Sequence, residues 1–267
     1  MGRCNPIAPV SYRLKVAVMN AECTILVMAG AREAHGLVTA LLARGRQLIA
    51  SLPEPERMFG ALPVPTRIGA FANRAEAATW LSSEGVRFVL DASHAFDDEI
   101  CAPLRQAAQD LQLPYLRIVR PPWQPTLRDR WIIKPSIRDA VADIPTGARV
   151  FSNTGWASLP EFADFKGATL YLRHTGATAR AAPFPFVDVV TGQPPFSQFE
   201  EEALFSRLGI THLICRNVGG AASMSKLLAA RAVRIPVMMI ERKPLADQVP
   251  LVENVADALA WEARVWS

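Results

Sequence analysis

Several features that define common protein classes are missing from this sequence. Its 267 residues include four cysteines and four histidines that all stand apart, so neither a CxxC pair nor a metal-binding pair of histidines occurs. The motifs GxSxG and GxxxxGK[ST] are absent, and no tyrosine is followed four residues later by lysine. We therefore expect no metal site, and neither a serine hydrolase, a P-loop enzyme nor a dehydrogenase of the tyrosine–lysine type.

Long apolar runs and clusters of charge are missing too. No apolar run reaches the roughly 20 residues needed to cross a bilayer, and residues 1–22 lack the apolar core of a signal peptide. The formal net charge is +4 with scattered basic residues, a pattern that argues against nucleic-acid binding. We expect a cytoplasmic protein without a membrane or nucleic-acid partner. Residues 1–22 are expected to form a flexible extension, unless translation starts at Met19, and no pattern predicts the oligomeric state.

What the sequence does contain is a regular alternation of short apolar runs and helical stretches. The runs are nearly continuous, as in parallel strands that helices cover on both faces. A proline-rich break at 119–125 divides the alternation, so we predict α/β units at 23–119 and 120–246 and a C-terminal helix within 247–267. The predicted strands are 23–29, 46–52, 86–91, 114–119, 149–152, 168–173, 187–190, 211–216 and 235–241. The predicted helices are 32–43, 74–83, 97–112, 157–163, 197–208, 222–232 and 253–265.

Polar residues and glycines follow four of these strands. The segment FVLDASHAF runs from a buried strand into Asp91, Ser93 and His94, and the other three strands lead into AGAREAHG, NTG and NVGG. Ligands of open parallel sheets bind at the carboxyl ends of the strands, where glycine lets a ligand approach the backbone. Each junction alone is typical of an ordinary turn. Together they predict a binding cleft between the two units.

The ordered segments ILVMAGAREAHGLVTALLARG, FVLDASHAFDDEI, LRIVRPPW, NTG, ITHLICRNVGGAASMSKLLAA and IPVMMIER resemble the precorrin-6A reductases of cobalamin biosynthesis. The resemblance covers about residues 24 to 245. It implies two Rossmann-like domains with the active site between them, NADPH as the hydride donor, and an anionic tetrapyrrole as substrate, either precorrin-6A or its cobalt form. It also implies a cofactor role for the first unit and a substrate role for the second.

The resemblance also implies which residues bind each ligand. The positions that match the cofactor segments are Gly30, Ala31, Arg32, Glu33, Ser51, Leu52, Gly69, Phe71, Ser93 and Phe96, with His94 in the same motif as Ser93. The positions that match the substrate segments are Arg120, Trp123, Thr154, Gly155, Arg216, Asn217, Gly219, Gly220 and Lys226. Arg173 is a further candidate for the substrate's carboxylates, because arginine suits bidentate contacts with such groups.

Some positions depart from the family pattern. Where the family has Ser-Leu-Ala-Gly-Arg, this chain has Ser51-Leu52 followed by PEPERMFG, so Arg57 or Arg67 would have to replace the missing arginine. If that arginine contacts the 2′-phosphate, NADH becomes the alternative donor. Val218 stands where the family has a serine, which removes one donor to a substrate carboxylate.

His94 is the candidate proton donor, because it follows a predicted strand end and histidine titrates near neutral pH. The alternative is that His94 only hydrogen-bonds the cofactor or a loop. For the whole protein, the alternative function is a paralogue that binds a tetrapyrrole or nucleotide without reducing it. An oxidoreductase with another large anionic substrate is the third hypothesis.

Overall fold

The computed structural model describes residues 24–54, 60–175, 181–244 and 249–266. These residues form two compact units. The first contains the described residues up to Val119 together with those from 249 onward, and the second is Arg120–Pro244. The predicted extension at 1–22 and the candidate Arg57 lie outside the described residues.

The first unit is a parallel sheet of six strands with helices on both faces. The strand order is β12-β5-β4-β1-β2-β3, which is the order of a Rossmann fold. The last strand, β12, comes from the end of the chain and pairs with β5. The strands are β1 (Thr24–Met28), β2 (Gln47–Leu52), β3 (Thr66–Ile68), β4 (Val86–Asp91), β5 (Tyr115–Ile118) and β12 (Leu251–Val252); the helices are α1 (Glu33–Ala43), α2 (Arg74–Ser83), α3 (Asp98–Asp110) and α7 (Val255–Trp266).

Both faces of this sheet are buried, as its continuous apolar strands predict. Ile25 and Val27 of β1 point to one face and pack with residues of α1 and α7. Leu26 and Met28 point to the other face and pack with residues of α2 and α3. The register aligns Met28 with both Ser51 and Asp91, so β1, β2 and β4 end at the same level.

The second unit is also a six-stranded parallel sheet, in the order β6-β11-β10-β7-β8-β9. Here the edge strand β6 (Trp131–Lys134) comes from the beginning of the unit and precedes the other five strands along the chain. The strands are β6 (Trp131–Lys134), β7 (Arg149–Ser152), β8 (Thr169–His174), β9 (Val187–Thr191), β10 (His212–Arg216) and β11 (Val237–Ile240); the helices are α4 (Ile137–Ala142), α5 (Gln198–Leu208) and α6 (Ser225–Ala232).

Local sequence explains where several of these elements begin and end. Ser197 and Glu200 form a reciprocal capping box at the start of α5, and Gly209 ends this helix in the left-handed conformation. The segment predicted as a helix at 157–163 is a 3₁₀ helix, Trp156–Phe162, with Pro160 inside it. The predicted helix at 222–232 divides into a short 3₁₀ turn and α6. None of the helices described here is long and apolar enough to span a membrane.

Candidate active site

The turn after β1 is tied to both neighbouring strands. Ala29 N donates to Ser51 O at 2.8 Å, and Ala31 N donates to Ala92 O at 2.9 Å. Gly30, between them, has a φ of +149°, and a Cβ added there would lie 3.0 Å from the backbone nitrogen of His94. Two constraints, the torsion and the close approach of another loop, therefore require glycine at this position.

The helix that follows this turn begins without a side-chain cap. The residue before α1 is Arg32, which makes no side-chain capping bond, and Glu33 lies in the first turn. An uncapped helix N-terminus presents backbone N–H groups, which suit a phosphate. Ala31 is buried and Arg32 is exposed. This turn can therefore offer backbone groups and one cationic side chain to a ligand.

The loop after β4 holds His94 with a defined ring orientation. Phe96 N donates to His94 Nδ1 at 3.3 Å, and the two rings pack with centroids 6.1 Å apart. Because Nδ1 accepts this bond, the neutral imidazole carries its proton on Nε2. Asp97 Oδ1 lies 3.9 Å from Nδ1. His94 is partly exposed, so its ring can reach a ligand.

The candidates at the end of β2 and after β3 are more buried than His94. Ser51 and Phe71 are buried, and the side chain of Leu52 lies in the core. The carbonyl of Leu52 accepts from Gly69 N at 2.8 Å, so β2 is linked to the turn after β3. The Arg67 guanidinium lies 3.7 Å from the Phe71 ring and bonds to the carbonyl of Gly69. Arg67 thus holds the Gly69–Phe71 turn in place.

Hydroxyl groups form a chain at the carboxyl end of β7 in the second unit. Ser152 Oγ lies 2.8 Å from Thr154 Oγ1, which lies 2.7 Å from Ser158 Oγ. Ser158 Oγ donates to Gly155 O at 2.7 Å. Gly155 has a φ of +89°, and apart from its chain neighbours no described residue lies within 4 Å of where a Cβ would be. The turn is rigid in its hydroxyl contacts, and the space at Gly155 leaves its backbone accessible.

A second turn in this unit, after β10, is locked to the segment that opens the unit. Asn217 Oδ1 accepts from Trp123 N at 2.8 Å, and Asn217 Nδ2 donates to Trp123 O at 3.0 Å. Trp123 Nε1 donates to Gly220 O at 2.8 Å. A Cβ on Gly219 would lie 2.1 Å from Pro121 O. The two segments are therefore one preassembled structure, and Trp123 is one of its anchors.

Cationic side chains surround this structure. Arg120 passes across Gly220, where an added Cβ would lie 2.6 Å from Arg120 Cδ. Lys226 is buried, donates to Ser223 O at 2.6 Å and lies 5.7 Å from the Trp123 ring. Arg216 is the last residue of β10 and is half-buried. Arg242 is a fourth cation at this turn, because its Nε donates to Asn217 O at 2.6 Å. The carboxyl end of β10 thus combines four cations with a fixed backbone, an arrangement suited to carboxylates.

Arg173, the fifth residue of β8, lies beside α5. Its Nη2 donates to Glu201 Oε2 at 2.8 Å, and its guanidinium lies 3.9 Å from the Phe196 ring. Both residues line a cavity of about 370 Å³. Burial lowers the pKa of Arg173 and raises the pKa of Glu201. The attraction between the two charges therefore does not fully offset the free-energy cost of removing both from water.

One charged network was not predicted from the sequence. Asp91 is fully buried, and its carboxylate contacts Tyr115 and Arg117 of β5. A sequence signal for it exists, because Arg117 interrupts an apolar predicted strand, and buried charges require partners.

The comparisons with known proteins agree over nearly the whole chain. Residues 24–263 match the model of the family described as Precorrin-6x reductase CbiJ/CobK. A precorrin-6A reductase of Rhodobacter capsulatus is 32% identical over 88% of this chain and 95% of its own length. A cobalt-precorrin-6A reductase of Priestia megaterium is 22% identical over 90% of this chain and 99% of its own. A solved structure described as CobK precorrin-6A reductase has a TM-score of 0.82 at 30% identity, covering 91% of this chain and 96% of that one.

Proposed function

Because the chain belongs to the precorrin-6x reductase family, we propose that it reduces a ring double bond of precorrin-6A with NADPH as the hydride donor. The observation that carries the proposal is the family match across both units, from residue 24 to residue 263. The family consists of oxidoreductases that use a nicotinamide cofactor. The choice of NADPH over NADH and the choice of substrate are the finer parts of the proposal.

The first unit has a turn that fits a dinucleotide. A Cβ on Gly30 would lie only 3.0 Å from the backbone nitrogen of His94, and Arg32 at the α1 N-terminus makes no side-chain capping bond to the described residues. These are the properties expected where a pyrophosphate approaches the backbone between β1 and the following helix. The bound cofactor supplies a hydride, and the protein positions it and excludes water. The backbone N–H groups at the start of α1, beside Gly30, would hold the pyrophosphate, and Arg32 would add a positive charge; the N–H of Ala31 already bonds to Ala92 O.

The second unit has cations that suit an acidic tetrapyrrole. Arg120, Arg216 and Lys226 lie around the turn after β10, whose backbone is fixed by Asn217 and Trp123. The accessible backbone at Gly155 can supply a further donor, whereas the Thr154 hydroxyl is buried and bonds to Ser158. A rigid turn loses little conformational freedom when it binds carboxylates, which raises affinity. These residues are proposed to orient the substrate by its peripheral carboxylates.

His94 is proposed to deliver the proton that accompanies hydride addition. The donor is the protonated ring, which gives up its Nε2 proton and becomes a neutral imidazole that keeps a proton on Nδ1, where Asp97 Oδ1 lies 3.9 Å away. This side chain also follows β4 directly, next to the turn of Gly30. Proton transfer by such a group accelerates a reaction by about 10² to 10⁴. A His94→Gln variant is therefore expected to bind NADPH normally and to turn over about 10² to 10⁴ times more slowly than the wild type.

Metal-free precorrin-6A is the substrate that the relatives favour. The proteins about one-third identical to this chain are named precorrin-6A reductases, whereas those named cobalt-precorrin-6A reductases are 22% identical. Parallel assays with the two substrates test this choice. A higher kcat/KM with the cobalt form would contradict it.

Calorimetric titration with NADPH and NADH tests the cofactor site. Gly30→Ala changes the proposed cofactor turn, and Gly45→Ala is its matched control. Both glycines have a positive φ, but within the described part of the chain a Cβ on Gly45 meets nothing within 4 Å beyond its chain neighbours, and Gly45 lies at the other end of α1. We expect NADPH to bind the wild type and Gly45→Ala alike, and to bind Gly30→Ala at least about tenfold more weakly. Failure of both nucleotides to bind the wild type at millimolar concentration would refute the reductase proposal and favour a non-catalytic tetrapyrrole-binding paralogue.

A further inference from the structure

A run of buried charges lies behind the His94 loop in the first unit. It begins at Asp91, the last residue of β4, and passes through Arg117 of β5 to Asp98 and Arg105 of α3. Arg117 Nη1 donates to Asp98 Oδ1 at 2.6 Å, and Arg105 Nη1 donates to the same oxygen at 2.9 Å. Asp91, Arg105 and Arg117 are at most 1% exposed. Acidic and basic groups alternate, which is how a buried network of charges is tolerated.

The two carboxylate oxygens of Asp91 have different tasks. Oδ2 accepts from the Tyr115 hydroxyl at 2.5 Å and lies 3.5 Å from Arg117 Nε. Oδ1 accepts from the backbone N–H of Ser93 at 2.8 Å, two residues along the chain. The first oxygen is therefore anchored to β5, and the second fixes the turn that leads to His94.

Burial and the Asp91 charge raise the pKa of Tyr115 well above its ordinary value. The hydroxyl therefore keeps its proton and remains a donor to Asp91 throughout the working pH range. The geometry of this bond is set by β4 and β5, whose register aligns Asp91 with Arg117.

The turn that Asp91 fixes is the one that meets the Gly30 turn. Ala92 N donates to Met28 O at 2.8 Å, and Ala92 O accepts from Ala31 N at 2.9 Å. The backbone nitrogen of His94 lies where it would touch a Cβ on Gly30. A shift of the turn by a few tenths of an ångström would therefore be transmitted to the Gly30 loop.

We propose that Asp91 is a positioning residue for the dinucleotide site, because its bond to the Ser93 N–H holds the His94 loop against the Gly30 turn. The inference rests on the proposed function. It assigns the functional part of the network to Oδ1 of Asp91. The distant part, Asp98 with Arg105, stabilises the fold without affecting the cofactor.

Three variants separate these roles. Asp91→Ala removes both contacts, and Asp91→Asn keeps an oxygen for Ser93 N–H while losing the charge opposite Arg117. Asp98→Asn weakens the distant arginine contacts and leaves Ser93 bound. All three are expected to lower the melting temperature, because each unbalances a buried network of charges. NADPH affinity, measured by calorimetry below the melting temperature of each variant, distinguishes them.

We expect Asp91→Ala to bind NADPH about tenfold more weakly, because losing this bond leaves the loop in its binding position only part of the time, and the apparent affinity falls by that fraction. Asp91→Asn and Asp98→Asn should stay within about twofold of the wild type. Equal affinity of Asp91→Ala and the wild type would overturn the inference while leaving the proposed function intact. If the wild type itself binds neither nucleotide, both fail. A second measurement requires no variant: the Ser93 amide of the wild type should resist hydrogen exchange, and exchange as fast as an exposed amide would overturn the inference.

Discussion

The bond between Asn217 and Trp123 gives the sharpest stability prediction in the second unit. The Asn217 amide pairs with both backbone groups of Trp123, at 2.8 and 3.0 Å, and both bonds are buried. Asn217→Ala leaves one N–H and one C=O without these partners. Each unsatisfied buried group costs about 1–3 kcal/mol, so the free energy of unfolding should fall by about 2–6 kcal/mol.

Urea unfolding followed by circular dichroism measures this loss. The matched control is Asn153→Ala, because Asn153 also follows a strand of the same sheet and its Oδ1 has no hydrogen-bond partner among the described residues. The control should not lower stability, because it removes a buried acceptor that has no such bond to lose. If Asn217→Ala is equally mild, the two bonds do not hold the turn, and the argument for a preassembled substrate site is wrong.

Three further predictions concern the second unit. Gly219→Ala should destabilise more than Gly155→Ala, measured by urea unfolding, because both glycines have a positive φ but only the first would bring a Cβ within 2.1 Å of a carbonyl oxygen; equal losses would contradict this. Arg173→Met should cost about 3–5 kcal/mol by leaving Glu201 buried without its partner, and adding Glu201→Leu should recover most of that loss in a double-mutant cycle; additive losses would refute the coupling. Burial lowers the pKa of His212 below its ordinary 6.5. Its contribution to stability should therefore be complete above pH 6.5 and be lost as the pH falls through the folded-state pKa. A His212→Gln variant whose melting temperature depends on pH between 7 and 5 in the same way as that of the wild type would contradict this.

The central strands could be predicted from the sequence because each is a continuous apolar run that both faces of a sheet require. The strands β1, β4, β7 and β10 all lie within predicted ranges, and the two Rossmann-like parallel sheets are confirmed. The edge strands β3, β6 and β12 were missed. They have two to four residues, and β6 has two exposed positions at its centre, so no burial pattern marks it as a strand.

Long-range pairing and short length explain why β12 and α4 were not predicted. β12 joins β5 although more than a hundred residues of the chain separate them, and no local pattern specifies such a partner. The short helix α4 was also missed, since its six residues span less than two turns. The predicted interdomain cleft and the domain boundaries stay predictions.

The sequence predicted which types of residue form the candidate site, but it did not predict their contacts. Sequence alone placed glycines and His94 at strand ends, because turn residues after apolar runs are visible locally. It could not show that Trp123 would be held by Asn217, or that Arg173 would pair with Glu201. Such contacts depend on which segments the fold brings together. The roles of the individual site residues remain predictions.

Transfer of isotope from cofactor to substrate tests the central claim most directly. Anaerobic incubation of the purified protein with precorrin-6A and NADPH deuterated at C4 of the nicotinamide would be followed by mass spectrometry of the product. If the protein is a precorrin-6A reductase, the product gains one deuterium from the correctly labelled face of the cofactor and one hydrogen from solvent. If precorrin-6A is recovered unchanged with either labelled face, while the protein is folded and binds NADPH, the claim is wrong.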